Sequence, residues 1–518
     1  MNNIPNLCIG DVSPNGQVSI LDEDRLSYSV LNNSKGAVGI RTISKSLLNE
    51  FIGYIIEHPN NTPTEVRNEL CGRTKIDKFE YGYASTLCIM AQMAISKRNA
   101  YITDKSNEIQ NRLSPDDISY ISAIKTKPFV ILGGFSGTGK SQKVKELAFA
   151  TCPNNSHLRT SETTPGNYLL LSVKPNWHDA TEITGFRSSV NRNYYVTDFM
   201  RFLIKAMHFP NVPFFVCLDE MNLAPVEEYF ADFLSVIESR KKTSSGQIVT
   251  DAIIPASVFN EEYNDNFCIF DCLGFERMDR GMTDDGLHET LLGKFIRIDL
   301  INKIKRDGLT IPSNVIIIGT VNMDDTTNSF SRKVIDRAMT FETVVGKFGD
   351  EYFNSDVALN YVKNPLNGEL FLSDEVRATQ MIDEGRFILT KEEQTKILNF
   401  INDINEDLDG SPFKISYRIL NETILLYRSK KRIAEIMKDE DGLADGVEFK
   451  TDLNTIFDDI LMQKVLPRIE GDYEKCSKCL NKLSLRADNN EWLRSYKKIE
   501  FMIKRFGSDR SGFTSFWN

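Results

Sequence analysis

The apolar positions of this chain change their spacing twice. Up to about residue 118, short alternating stretches around "QVSILDEDRLSYSVLNN" predict strands and a turn. After them, "SKSLLNEFIGYIIEHPNN" carries apolar residues at helical spacing, and "TPTEVRNELCG" predicts a helix opened by Thr62, with Pro63 in its first turn, and closed at Gly72. From about 119 to 345 the pattern becomes short apolar runs separated by amphipathic segments: "PFVILGG", "SQKVKELAFAT", "NYLLLSV", "DFMRFLIKAM", "PFFVCLDE", "EEYFADFLSVIESR" and "NVIIIGTVN". Continuous apolar runs of strand length between helices mean parallel strands covered on both faces, a doubly wound α/β domain. The stretch 240–310 is polar and irregular, which predicts an insertion of loops and a hairpin between two core strands. From 346 to 518 helical spacing returns in "KEEQTKILNFINDINEDL", "YRILNETILLYRSKKRIAEIM" and "DLNTIFDDILMQKVLPRI", which predicts a helical subdomain.

Composition narrows the classes. With 518 residues, 41% of them hydrophobic, the chain can bury several cores. The formal charge of −10 excludes a surface that coats nucleic acid, so a DNA contact would be confined to a local patch. Residues 1–118 are close to charge balance and form no basic arm. None of the apolar runs approaches the roughly 18 residues that a membrane-spanning helix needs. The N-terminus lacks a secretory pattern, so the expected compartment is the cytosol, with no membrane partner. Nine cysteines, thinly spread, read as reduced thiols. Cys476 and Cys479 form a CxxC without a second pair at partner spacing, so ordinary thiols are expected there rather than zinc ligands.

Three segments carry chemistry. The first is "GFSGTGKS", Gly134, Phe135, Ser136, Gly137, Thr138, Gly139, Lys140 and Ser141, between an apolar strand and a helix. Its glycines let successive backbone N–H groups converge on one phosphate at a helix N-terminus. Lys140 is placed for the β and γ oxygens of a nucleotide and Ser141 for Mg²⁺. The second is "PFFVCLDEMN", a buried strand that delivers Asp219 as a Mg²⁺ partner and Glu220 as the group that polarises an attacking water. The third is "NVIIIGTVNMDD", whose strand tip, Asn322, can orient the same water. Fifteen residues on, Arg337 lies at the domain rim, where it can reach a neighbouring subunit's nucleotide as an arginine finger. Arg332, Asp324 and Asp325 could play related roles, and nothing in the sequence ranks them.

Together "GGFSGTGKS", "FVCLDEMNLAPVEEYFADFLSVIE" and "GTVNMDDTTNSFSRKVIDRAMTF" resemble the AAA+ module of the McrB family, the motor subunits of modification-dependent restriction systems. Further matching segments are "KTKPFVIL", "SVKPNWHDATEITGF", "SYRILNE", "QKVLPRIEG" and the terminal "GFTSFW", so the resemblance spans 119–518. It implies an AAA+ P-loop NTPase core at 119–345 with a parallel sheet, a C-terminal helical lid at 346–518, and a separate mixed α+β N-terminal domain at 1–118 that reads a target. It also implies a homo-hexamer with nucleotide at subunit interfaces, GTP or ATP with Mg²⁺, and an McrC-like endonuclease partner that cuts DNA while this subunit translocates it. Arg418 of "SYRILNE" takes the place of a lid arginine that reaches the nucleotide of its own chain.

Other segments stay open or carry no role. Lys174, Trp177 and His178 could contact a DNA strand, or Trp177 could simply pack. "TKID" at 74–77 precedes the phosphate-type loop and reads no base, and "DGVEFK" at 445–450 lacks the flanking strands of a nuclease core. Two other function classes remain beside the motor: a MoxR-like chaperone that remodels protein, and a nucleotide-dependent binding switch.

Overall fold

The computed structural model describes residues 12–13, 16–21, 25–32, 37–44, 115–188, 190, 194–260, 287–289, 295–323, 330–343, 359–439, 451–507 and 512–517. The chain divides into two compact units, Met1–Asn111 and Arg112–Asn518. In the first, β1 (Val12–Ser13), β2 (Gly16–Leu21), β3 (Arg25–Asn32) and β4 (Ala37–Ser44) form an antiparallel sheet in sequence order. Ser44, with which the expected helical segment begins, closes β4, and the rest of the helices expected up to residue 72, like the "TKID" segment, lies outside the described residues.

The second unit opens with helix α1 (Pro115–Thr126), upstream of the first core strand. Its central sheet holds β5 (Phe129–Gly134), β6 (Tyr168–Ser172), β7 (Phe214–Asp219), β8 (Val315–Asn322) and β9 (Met339–Thr343), in the order β9-β5-β8-β7-β6. Every neighbouring pair is parallel. Strands β5, β7 and β8 are buried along almost their whole length, as the unbroken apolar runs require of strands covered on both faces. Edge strand β6 instead has one buried residue, Tyr168, and then alternates half-buried and exposed positions. Helix α2 (Lys140–Thr151) follows β5, α3 (Asp198–His208) precedes β7, α4 (Ala231–Glu238) follows β7, and the short α5 (Arg332–Ile335) precedes β9.

Register fixes which side chains share an edge. Asn322 and Thr343 both pair with Gly134, and Ser172 pairs with Asp219. The C-terminal ends of all five strands therefore meet along one rim, the place where open α/β sheets gather ligands. The expected irregular insertion appears as a hairpin (Lys241–Lys242 with Ile248–Val249), a pair joining Ala252–Ile254 to Leu309–Thr310, a second hairpin (Leu287–Glu289 with Phe295–Arg297), and a helix over Ile298–Asp307.

The C-terminal third is helical, with α6 (Lys391–Asp407), α7 (Tyr417–Asp439), α8 (Leu453–Ile460), α9 (Tyr473–Asn489) and α10 (Leu493–Lys504). Asp472 caps α9 through Lys475 N–H, and Thr390 with Glu393 forms a reciprocal capping box on α6. These helices share one continuous hydrophobic core with the sheet. Two contacts are among those that seat them against it. Helix α7 lies along α1. At the very end of the chain, Trp517 stands at Gly133, where an added methyl group would meet its ring at 3.2 Å.

Candidate functional site

The rim at the C-terminal strand ends starts with the loop between β5 and α2. Gly134 has no room for a side chain, because a Cβ there would lie 2.0 Å from the Thr343 hydroxyl. Gly137 and Gly139 take positive φ, 77° and 74°, in open space, so the loop bends back as only glycine does without strain. Thr343 Oγ1 donates to Gly133 O at 3.0 Å and lies 3.0 Å from Thr138 Oγ1, while Thr138 Oγ1 donates to Phe135 O at 2.9 Å. Lys140, only 6% exposed, turns back along the loop and donates to Gly134 O at 2.9 Å and Phe135 O at 2.7 Å. The eight expected loop residues thus form a cradle of backbone groups at the start of a twelve-residue helix, with one ammonium inside it.

The acidic strand delivers its two carboxylates beside that cradle. Ser141 Oγ donates to Asp219 Oδ1, and Thr320 Oγ1 donates to the same oxygen at 2.8 Å. Serine hydroxyl and carboxylate are the hard oxygen donors that Mg²⁺ takes, so this pair fits the ion. Among the described residues no group of three or more His, Cys, Asp and Glu could hold a metal. Glu220 follows in a left-handed conformation, φ 53°, which costs a residue other than glycine about 1 kcal/mol and turns its side chain away from the strand direction. Its N–H donates to Thr320 Oγ1 at 3.0 Å, and Asn322 Nδ2 donates to its Oε1 at 3.0 Å. Asn322 reaches both neighbours because β8 lies between the loop strand and the acidic strand.

Thr320 and Thr343 escaped the sequence reading. The available signal for Thr320 was one hydroxyl in an otherwise apolar buried strand, two positions before Asn322 and so on the same face.

The two arginines lie elsewhere. Arg337 precedes Met339, which pairs with Val130 at the start of β5, so it stands at the N-terminal ends of the strands. Its Nε donates to Glu238 Oε2 at 2.7 Å and its Nη1 to Lys333 O at 2.9 Å. Arg418 pairs with the other oxygen of the same carboxylate, Glu238 Oε1. Arg418 is thereby held at the N-terminal ends of the strands, away from the loop of its own chain. The reason is the seating of α7: Glu422, one turn past Arg418, is bonded to Lys127, two residues before β5 begins. A six-residue strand separates that point from the loop, roughly 20 Å, well beyond the reach of an arginine side chain. Arg332 is occupied locally, with Nη1 donating to Pro412 O at 2.6 Å and the guanidinium over the Phe413 ring.

Trp177 is buried edge-on against Tyr229, ring centroids 5.4 Å apart, and so packs rather than presenting a face to a strand of nucleic acid. Lys174 and His178 are exposed, and His178 Nδ1 lies 3.8 Å from Glu228. Cys476 and Cys479 are buried thiols, pushed up to about 12 and about 11 mainly by burial. Burial thus keeps both thiols protonated and poorly nucleophilic near neutral pH. Asp324, Asp325 and the "DGVEFK" segment lie outside the described residues. No described helix is long and apolar enough to cross a membrane.

Residues 372–511 match a domain of unknown function, DUF8727, whose description carries no activity. No curated protein matches the chain. Among solved structures, the chain is similar to a protein of Cytophaga hutchinsonii ATCC 33406 described as a putative ATPase, at 11% identity and a TM-score of 0.35, over 66% of this chain and 82% of that one. A likeness at that level bears on neither activity nor partner.

Proposed function

We propose that this chain is a Mg²⁺-dependent nucleoside triphosphatase of the AAA+ kind, built like the McrB-type motors, whose hydrolytic centre is completed by a second copy of itself. One observation carries the reading: the rim joins a phosphate-type loop, through the contact of Ser141 with Asp219, to a glutamate held by the Asn322 amide. A strand that merely happened to end in acids would have no reason to be wired to the loop on one side and to an amide on the other.

The chemistry follows from those positions. The loop's N–H groups and the start of α2 would hold the β and γ phosphates, and Lys140 would exchange its two carbonyl partners for phosphate oxygens. Ser141 and Asp219 would hold Mg²⁺, which offsets charge between the phosphates. Asn322 fixes Oε1 of Glu220, which leaves Oε2 to accept the proton of a water attacking the γ-phosphorus as the bond to the bridging oxygen breaks. Arg337 and Arg418 sit at the far ends of the strands, away from that charge on their own chain. They act instead on the nucleotide of the next protomer, in a homo-hexameric ring whose interfaces hold the nucleotides.

In the fuller form of the reading, the ring draws DNA through a local contact patch while a separate McrC-like nuclease cuts, with GTP favoured and ATP possible as fuel. The test is hydrolysis of GTP and ATP measured in parallel, with and without DNA and a purified nuclease partner. The reading expects turnover with one purine nucleotide, stimulated by the partner. Turnover indifferent to both DNA and nuclease but raised by an unfolded polypeptide would overturn the DNA role in favour of a remodelling chaperone. Failure to bind either triphosphate would overturn the whole reading.

A further inference from the structure

Two segments that the rim does not use, "SYRILNE" and "QKVLPRIEG", meet in the interior directly beneath the arginine pair. Lys464 lies in a single π-helical turn, Leu461–Val465, inserted after α8, a form that helices adopt locally and often at functional sites. Its side chain is 1% exposed. The ammonium donates to three carbonyls on the segment that carries Arg337: Ile335 O at 3.3 Å, Asp336 O at 3.1 Å and Ala338 O at 2.7 Å. All three of its protons are thereby directed at the turn between α5 and β9. Glu422 Oε2 lies 3.0 Å away, and the other oxygen of Glu422 binds Lys127, whose ammonium also reaches Asp336 O at 3.4 Å.

Glu422 is one helical turn from Arg418, and Arg337 lies between two of the carbonyls that Lys464 holds. From outside, Glu238 binds both guanidinium groups. Each arginine is thus fixed at its tip by one shared carboxylate and at its root by one buried ion pair. An ordinary core would not need this. A buried lysine costs several kcal/mol of desolvation, and well-packed apolar residues would be as stable or more so. Its retention makes sense where a backbone turn must be held to one geometry.

We infer that Lys464 and Glu422 are positioning residues that lock the α5–β9 turn to helix α7, so that Arg337 and Arg418 are presented to the neighbouring protomer as one rigid pair. The inference rests on the triphosphatase reading and deepens it. If the arginines move together, a shift of α7 against the sheet withdraws both from the neighbour's phosphate at once, and the helical third controls hydrolysis without touching the nucleotide.

The pair has a signature that a purely structural role lacks. Burial pulls Lys464 down to about 8, against the partial opposition of Glu422, with Lys127 adding to the fall and Asp336 opposing it. Arg468, 3.4 Å from Asp336, is the further charge on this side. The sign for stability is fixed by linkage. The unfolded chain keeps the lysine proton up to about 10.5 and the folded chain only to about 8, so between those values this group makes the fold more stable as pH rises. Positioning runs the other way, since loss of the ammonium removes one of three donors and the ion pair with Glu422.

The experiment measures kcat, nucleotide affinity and melting temperature of the full-length protein between pH 6.5 and 9.5, for wild type, Lys464→Arg, Lys464→Met and the double variant Lys464→Met/Glu422→Leu. In the wild type, kcat falls on an alkaline limb centred near 8 while the melting temperature does not fall with it. Lys464→Arg, charged throughout, moves the limb upward. The double variant removes the buried lysine together with its carboxylate and leaves only the partly exposed Lys127 without its acid; it is expected to fold where Lys464→Met alone does not, to bind nucleotide like wild type and to turn over at least tenfold more slowly. A wild-type profile flat to pH 9.5, or a double variant with wild-type kcat, overturns the inference, provided that Arg337→Ala is slow in the same assay. If Arg337→Ala is itself as fast as wild type, the underlying reading fails and takes this one with it.

Discussion

The two ends of the central sheet are built on different terms. At the C-terminal rim every reactive group already touches another: Ser141 with Asp219, Asn322 with Glu220, and Thr320 with Asp219 and with the backbone of Glu220. At the N-terminal end, two arginines 81 positions apart in sequence converge on one glutamate and are braced from beneath by a buried lysine. The rim gathers a loop, two carboxylates and an amide, and the other end gathers two guanidinium groups held away from that loop. Under the proposed triphosphatase reading, the difference teaches where an oligomer would be needed: for the chemical step, which would belong to the pair, rather than for binding, which would belong to the protomer.

The sharpest way to break that division is Arg337→Ala. Stabilising transition-state charge by a finger arginine is worth about a thousandfold or more in turnover, so kcat should collapse by that order while nucleotide affinity, measured by titration on the dilute protomer, stays within a few fold of wild type. Equal loss of affinity would place Arg337 at its own chain's nucleotide. Next comes Glu220→Gln on the other side of the comparison. It keeps the Asn322 contact and removes the proton acceptor, which predicts a drop of roughly a hundredfold to ten-thousandfold in turnover with binding and ring formation retained. Wild-type turnover in that variant excludes Glu220 as the base.

Smaller effects sharpen the picture. Trp517 packs against Phe330, ring centroids 5.2 Å apart, donates to Pro467 O at 3.1 Å and backs Gly133 at the root of the loop. Trp517→Ala should lower stability by about 3–5 kcal/mol in chemical denaturation and weaken nucleotide binding as the loop loses its backing. A stability change under 1 kcal/mol would show that the chain terminus does not support the rim. Thr320→Val removes the hydroxyl that links the Asp219 carboxylate to the backbone N–H of Glu220. It is expected to slow turnover about tenfold with little change in melting temperature, and unchanged kcat would leave Thr320 with no role beyond packing.

Much of the rim was legible in the sequence because its signals are contiguous. A glycine loop between strand and helix, and acids closing an apolar run, specify local geometry whatever the rest of the chain does. The strand order then brought Asn322 between them, as the third motif suggested. The arginine end was not legible in the same way. Where Arg418 points depends on the seating of α7, and that is set by Glu422 meeting Lys127 and Lys464, residues 295 and 42 positions away. In the sequence, Lys464 reads as one more polar position on a helix, and only its burial separates it from the solvated lysines around it. Glu238 likewise ends an amphipathic helix as an ordinary exposed acid. Trp177 went the other way: its neighbouring cation and histidine suggested a surface, while Tyr229 gives it an interior partner.

The division of labour between the two ends is tested most directly by mixing two dead proteins. Glu220→Gln protomers lack a base but carry intact arginines, and Arg337→Ala protomers lack the finger but carry an intact rim. Each should be nearly inactive alone, and the mixture should regain readily measurable hydrolysis, because a Glu220→Gln neighbour lends its Arg337 to an intact rim. A mixture as inactive as its parents, or an Arg337→Ala protein that already turns over at the wild-type rate, would contradict the account.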